Sequence, residues 1–268
     1  MDLQQIGASH PRIKQVIDLQ KNTKPNPQKL FIAEGLWAHN ALLEADTEIA
    51  TFLWCPEAAY SDEAKKRSEE VAARAGQSFR VSEKTLARVS ERDKPDGLLS
   101  VARLPLWDPA LISLPDDALI MVADAIEIPG NLGTLIRTLD AVGADLLVLT
   151  NRRTRLTHPK VFRASHGMVL TVPHLEFDDV AEAGAWLLQH HVTTYLADTG
   201  GTRTYREMDC SGRTAILLGN ERYGISRPWY DFGFEAVSIP MLGRADSLNV
   251  SISAAVLLCE ARARKAGW

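Results

Sequence analysis

Cysteine is scarce in this sequence. Cys55, Cys210 and Cys259 are the only three among 268 residues, and they stand singly and far apart. They form neither a disulfide framework nor a metal-ligand spacing, so a reducing compartment and no bound metal are expected. Long apolar runs are also missing. None approaches the roughly 18 residues of a membrane-spanning helix, and the polar first residues do not read as a secretory signal. A cytoplasmic protein with no membrane partner is the expectation. Large net charge is absent too: 30 Lys and Arg against 34 Asp and Glu leave −4, which excludes a general polyanion binder. There is no G-x-G-x-x-G, no Walker A sequence, no internal repeat and no low-complexity tract. What remains is an ordinary globular composition, 46% hydrophobic and 24% charged, long enough for one large domain or two modest ones.

Charge of one sign is concentrated in two places. Residues 1–30 hold Arg12, Lys14, Lys21, Lys24 and Lys29 against Asp2 and Asp18. Residues 146–175 hold Arg152, Arg153, Arg155, Lys160 and Arg163 with no acid, plus His158, His166 and His174. Clustered cations can recruit a phosphate backbone although the whole chain is acidic. Two solvated faces are the competing reading.

Hydrophobic periodicity predicts a small α/β module followed by a larger one. Ser9 reads as the N-cap of a first helix with Pro11 just inside it, ending near Gln20. Strands are expected at 30–33, 49–54, 78–81 and 98–102, and helices at 36–43, 62–75 and 82–89. The stretch 104–117, with Pro105, Pro109 and Pro115, reads as a linker. Beyond it strands are expected at 118–123, 146–149, 194–197, 215–218 and 236–239, with helices at 132–142, 159–165, 178–190 and 248–265. Apolar strands alternating with helices predict a parallel sheet covered on both sides. The expected organisation is an N-terminal α/β domain over 1–103, a linker over 104–117, and a parallel-sheet domain over 118–268.

Three segments of the second domain each follow an apolar strand, where open α/β sheets build ligand sites. In Pro129-Gly130-Asn131-Leu132-Gly133-Thr134-Leu135-Ile136-Arg137, Asn131 can cap a helix and Arg137 can grip a phosphate through its fork of donors. In Leu217-Leu218-Gly219-Asn220-Glu221-Arg222-Tyr223-Gly224, Gly219 is expected to let a ligand approach the backbone, and Glu221 sets a carboxylate at the sheet's mouth. In Ile239-Pro240-Met241-Leu242-Gly243 and Ser247-Leu248-Asn249-Val250-Ser251, Ser247 reads as the N-cap of the last helix. Asn249 then falls in the first turn, with no capping role. Each segment also has a purely structural reading, as a capped helix or a tight turn.

In order and content the three segments resemble the motifs of the SpoU (TrmH-like) branch of the SPOUT RNA 2'-O-ribose methyltransferases. The likeness spans about Asp124 to Glu260, and His158-Pro159-Lys160-Val161-Phe162-Arg163-Ala164-Ser165-His166-Gly167 looks like the family's linking region. Arg222 departs from the pattern, standing where glycine is common. The resemblance implies a deep trefoil knot and S-adenosylmethionine as cofactor, held around Thr199, Gly200, Leu218, Gly219, Ile239, Met241, Leu248 and Asn249. It implies a catalytic group of Arg137, Asn131, Glu221, Ser247 and Asn249, and a homodimer through the last helix and the knot region. The N-terminal module resembles, more loosely, the RNA-binding extension of rRNA-modifying members. RNA contacts are accordingly expected from Arg12, Lys21, Lys24, Lys29, Arg137, Arg152 and Arg163. Ribosomal RNA is the expected substrate, with an antibiotic-resistance role open. Transfer RNA and a catalytically silent RNA-binding or ribosome-assembly factor are the alternatives.

Overall fold

Strands form where short apolar runs lie between polar turns, and helices where apolar residues recur at helical spacing. The structure, a computed structural model, describes residues 2–268. The chain divides into two compact units. The first runs through Pro105 and also takes in Leu156–Thr171, while the second comprises Leu106–Arg155 and Val172–Trp268.

The first unit contains α1 (Pro11–Lys21), β1 (Leu30–Glu34), α2 (Leu36–Glu44), β2 (Ile49–Trp54), α3 (Asp62–Arg74), β3 (Ser78–Arg80), α4 (Glu83–Leu86) and β4 (Leu98–Arg103). Its sheet has the order β1-β4-β2-β3, with β4 antiparallel to both neighbours and β2 parallel to β3. Ile13 and Val16 of α1 pack with Leu30, Ile32, Leu53, Leu99 and Val101 on one face. The N-cap of α1 is His10 rather than Ser9. Pro11 restricts the residue before it to extended backbone (φ −63°, ψ 142°), and His10 Nδ1 accepts the Arg12 N–H at 3.3 Å.

The second unit contains β5 (Leu119–Asp124), α5 (Pro129–Ala141) and β6 (Leu146–Thr150). After a short helix that packs with the first unit, α6 (Pro159–Ala164), it continues with β7 (His174–Glu176), α7 (Val180–Gln189), β8 (Thr193–Ala197), β9 (Arg203–Thr204), β10 (Thr214–Leu218), β11 (Glu235–Ser238) and α8 (Val250–Ala266). All seven strands are parallel, in the order β7-β6-β5-β10-β8-β11-β9. Strands β5, β6 and β10 are buried at every residue, as expected for a sheet covered on both faces. Ile120, Val122, Val148 and Leu217 pack with Ala183 and Leu187 of α7 and with Trp229. Helices α5 and α8 contact each other and the sheet, on the face to which the alternate residues Leu119, Met121 and Ile216 point.

Several boundaries differ from expectation for local reasons. β7 and β9 are three- and two-residue strands, too short to show a period. The 82–89 helix shrinks to α4, and α5 starts at Pro129 because proline fits the first helical position. The proline-rich stretch 104–117 carries no helix or strand, yet it is not loose. Leu114 is buried in the second unit's core, and the Arg213 guanidinium donates to the Leu114 and Pro115 carbonyls at 3.0 Å each.

Candidate active site at the carboxyl ends of the parallel strands

Successive strands step outward one way from β5 through β6 to β7, while β8 to β11 lie on its other side, and at such a switch point the loops leaving the strand ends separate into a crevice. β5 ends in Asp124, whose carboxylate is fully buried. A buried carboxylate needs donors, and Asp124 has three. Thr150 Oγ1 (2.9 Å) and Asn151 Nδ2 (2.7 Å) donate to one oxygen, and the Ser226 N–H (2.8 Å) donates to the other. Asp124 thereby ties the ends of β5 and β6 to the loop after β10. Sequence reading passed it over, and its only signal was an acid closing an apolar strand.

The loop after β10 is shaped mainly by its own chain. Asn220 accepts the Arg222 and Tyr223 N–H groups at 2.9 and 3.0 Å, and its Nδ2 donates to the Ala125 carbonyl at 2.9 Å. Asn220 and Gly224 exchange both backbone hydrogen bonds at 2.9 Å. A Cβ at Gly219 would lie 2.2 Å from the Gly224 carbonyl carbon. The close approach that demands glycine there is that of the protein's own backbone at Gly224. Arg222, the departure from the pattern, lies with its guanidinium 5.3 Å from the Tyr223 ring centroid.

Glu221 reaches from this loop to the start of α5. Its carboxylate accepts the N–H groups of Glu127 (3.2 Å) and Ile128 (3.4 Å) and the Asn131 Nδ2 (2.8 Å). A carboxylate suits this place because the first N–H groups of a helix lack partners and carry the positive end of its dipole. Ile128 is the N-cap and has no side-chain acceptor, so the capping role expected for Asn131 falls to Glu221. Asn131 instead accepts from the Asn249 Nδ2 at 3.3 Å. Asn249, not Ser247, is the N-cap of α8, with its Oδ1 accepting the Ser251 N–H at 3.0 Å and the Ser251 hydroxyl at 2.6 Å. Ser247 bonds only its neighbour Asp246, at 3.3 Å. The three segments thus meet in one chain of contacts, Ser251–Asn249–Asn131–Glu221.

Beside it a small cleft opens between the ends of β8, β10 and β11. Thr199, Leu218, Ile239, Met241, Ser247 and Leu248 line it, all anticipated from the sequence. Gly200, Gly219 and Asn249 do not. Asp198 does. One of its oxygens accepts the Gly200 N–H at 2.7 Å and the other accepts the Tyr230 hydroxyl. Burial, and then the bond to Asp198, push the Tyr230 phenol up to about 12.

Arg137 stands apart. It is exposed on α5 and has no hydrogen bond or ion pair among the described residues. Helix geometry sets it about 9 Å along the axis and roughly 120° around it from Asn131. The other expected RNA contacts are mostly engaged. Arg152 pairs with Glu176 and Asp178, Arg163 with Glu91 at 2.5 Å, and Lys24 with Asp18 at 2.7 Å. Arg12 donates to Gln77 and Gln15, and Lys29 also has an interaction. Lys21 has none among the described residues. The basic run 146–175 therefore loses part of its charge to acids just outside it in sequence or distant along the chain. Among the described residues no group of three or more His, Cys, Asp or Glu could hold a metal ion, and no helix is long and apolar enough to cross a membrane.

Comparison with known proteins agrees with this geometry. Residues 118–259 match the family model described as SpoU rRNA methylase, and residues 10–100 match the MRM3-like substrate binding domain. An uncharacterised tRNA/rRNA methyltransferase of Synechocystis is 28% identical over 257 residues, covering 96% of this chain and 92% of the relative. A crystal structure of an RNA 2'-O ribose methyltransferase superposes with a TM-score of 0.80 at 33% identity, covering 99% of this chain and all of the other. The structure of an rRNA methyltransferase from Sinorhizobium meliloti with bound S-adenosylmethionine gives 0.86 at 26% identity, covering 97% and 98%.

Proposed function

Because this chain belongs to the SpoU rRNA methylase family, we propose that it methylates a ribose 2'-oxygen of ribosomal RNA, with S-adenosylmethionine in the cleft beside β10. It is a methyltransferase with the α/β parallel-sheet fold of its relatives. One observation carries the proposal: three segments spread over about 120 residues converge on the Asn249–Asn131–Glu221 contacts at the edge of that cleft. The cleft's residues suit the cofactor. Leu218, Ile239, Met241 and Leu248 offer apolar walls to a flat base, while Asp198 and Ser247 offer oxygens to cationic and hydroxyl groups.

When bound, S-adenosylmethionine supplies an electrophilic methyl group on a sulfonium. The protein's own part is to orient the ribose and to manage its proton and developing charge. Holding the reactants in line supplies a large share of the rate. A guanidinium, protonated throughout the physiological range, is a poor base. Arg137 therefore binds the phosphate next to the target ribose and stabilises alkoxide charge as it forms, while that phosphate assists removal of the proton. Glu221 and Asn131 keep the α5 N-terminus in place, and Asn249 couples it to α8. The first unit, through its substrate-binding match, holds the RNA.

The exposed position of Arg137, away from Asn131, supports a homodimer in which each protomer completes the other's site. Helix α8 offers the surface: Ile252 is 52% exposed, with Ala255, Val256 and Cys259 at helical spacing beside it. On the same reading the chain between β11 and α8 threads a loop to form a trefoil knot. In support, β11 lies two strands out from β10, yet α8 returns to contact β10 and β5.

The test is transfer of labelled methyl from S-adenosylmethionine to separated ribosomal and transfer RNA pools, followed by mapping of 2'-O-methyl positions. Incorporation into ribosomal RNA is expected. Arg137→Ala is expected to lower kcat by about 100-fold or more while cofactor affinity stays within about two-fold. Cofactor binding without incorporation into any pool would mark a silent RNA-binding factor, and near-normal turnover of Arg137→Ala would remove it from the mechanism.

A further inference from the structure

Segment Leu156–Thr171 follows β6 in the chain but packs within the first unit, and it brings an aromatic ring to that unit's surface. Phe162 of α6 is buried, Trp37 of α2 is half-buried, and His166 is exposed. The three rings form one stack running outward. Phe162 and Trp37 have centroids 5.3 Å apart with planes at 22°, and Trp37 and His166 are 5.0 Å apart at 20°.

The backbone sets where the imidazole sits. His166 has φ +53°, in the turn closing α6, where its N–H donates to the Arg163 carbonyl and the Gly167 N–H to the Phe162 carbonyl, both at 3.1 Å. Histidine is among the few residues enriched in that left-handed region. Among the described residues neither ring nitrogen has a hydrogen-bond partner. One imidazole face is therefore covered by indole, and the ring's exposed side can take a further flat group.

The surroundings select the kind of flat group. Residues 156–171 contain Lys160 and Arg163 and no acid. Lys160 is exposed and has no ion pair among the described residues, while Arg163 is paired with Glu91 at the surface. Beside these cations the His158 imidazole titrates below its ordinary range, through burial first and then the charges of Lys160 and Arg163. A protruding aromatic face next to phosphate-binding charge is how proteins hold single-stranded RNA, because every base has a π-face and every nucleotide an anion.

Resting on the RNA-methylation reading, we propose that His166, backed by Trp37, is a stacking site for an unpaired nucleobase of the substrate RNA, with Lys160 at the adjoining phosphate.

The test uses the full chain and two fluorescent single strands of equal length and charge, oligoadenylate and an abasic strand. The wild type is expected to bind oligoadenylate about five-fold or more tightly than the abasic strand. His166→Asn tolerates the left-handed backbone but has no ring, and it should abolish that preference while leaving abasic-strand and S-adenosylmethionine affinities within two-fold. His166→Phe restores the stacking face and should restore most of the preference, which a merely structural role would not do. Equal affinities in the wild type overturn the proposal, as does a preference that survives in His166→Asn or is lost in His166→Phe. Methyl transfer to ribosomal RNA by the wild type is followed in parallel. Absent transfer defeats the methylation reading, whereas transfer without base preference defeats the stacking site alone.

Discussion

Asn249 does two things with one carboxamide: its oxygen closes the first turn of α8, and its nitrogen reaches Asn131 across 118 positions of sequence. Ser247, two residues earlier, has neither duty and lines the cleft. The two residues should separate in experiment. Asn249→Ala is expected to cost about 1 kcal/mol of stability through the lost cap, seen as a lower urea midpoint. Ser247→Ala should leave that midpoint within about 0.5 kcal/mol, as surface changes do, and weaken S-adenosylmethionine binding in calorimetry. The reverse pattern would return the cap to Ser247. From sequence the two were not separable, because Ser and Asn cap equally well and the deciding fact is where the helix starts. Glu221 was legible as a carboxylate at the sheet's mouth, but its partners at the start of α5 lie 90 to 94 residues away. Gly219 was legible as a close approach, though what approaches is Gly224.

Elements were read best where burial imposes a period. β5, β6 and β10 are buried throughout and almost wholly apolar, and they were placed within a residue at either end. Edge strands β7 and β9 have too few residues to carry a signal. In the first unit a single side chain joins two elements. His39 of α2 is fully buried, with Nδ1 bonded to the Gly35 carbonyl at 2.8 Å and Nε2 to the Ser100 hydroxyl of β4 at 2.9 Å. Burial holds this imidazole down to about 4. As pH falls below the ordinary value of 6.5, the unfolded chain binds a proton that the folded one refuses, so stability declines until about pH 4. The full loss is on the order of 3 kcal/mol. Urea titrations between pH 7 and 4 should show this acid limb flattened in His39→Gln. An unchanged limb would assign the acid sensitivity to another group.

For the whole molecule, the proposed mechanism requires Arg137 to stand beside Asn131, Glu221 and Asn249, from which it is separated within one chain. The proposed dimer would supply that proximity, and α8 carries the test. Ile252 is half-exposed, so Ile252→Asp should leave the isolated protomer's stability within about 0.5 kcal/mol. The same change sets a charge in the proposed interface and should shift the molecule from dimer to monomer in analytical ultracentrifugation, with methyl transfer falling in step. A monomeric variant that stays fully active would place the whole site within one chain. Local sequence charge proved a poor guide at this scale, because Arg152, Arg163 and Lys24 meet acids that folding or chain neighbours bring to them. The segment 156–171 likewise follows β6 in sequence yet packs with the first unit.

By itself the sequence determined the alternation of strands and helices, the positions of the three turn segments and their chemical content. These follow from hydrophobic period, proline and glycine placement and residue type, which act over a few neighbouring residues. Only the tertiary structure decided which side chains meet. The Asp124 anchor, the Glu221 cap on α5, the Asn249–Asn131 contact, the neutralised arginines and the Phe162–Trp37–His166 stack all join residues 24 to 129 positions apart. Such contacts depend on strand order and helix rotation, which no local pattern encodes.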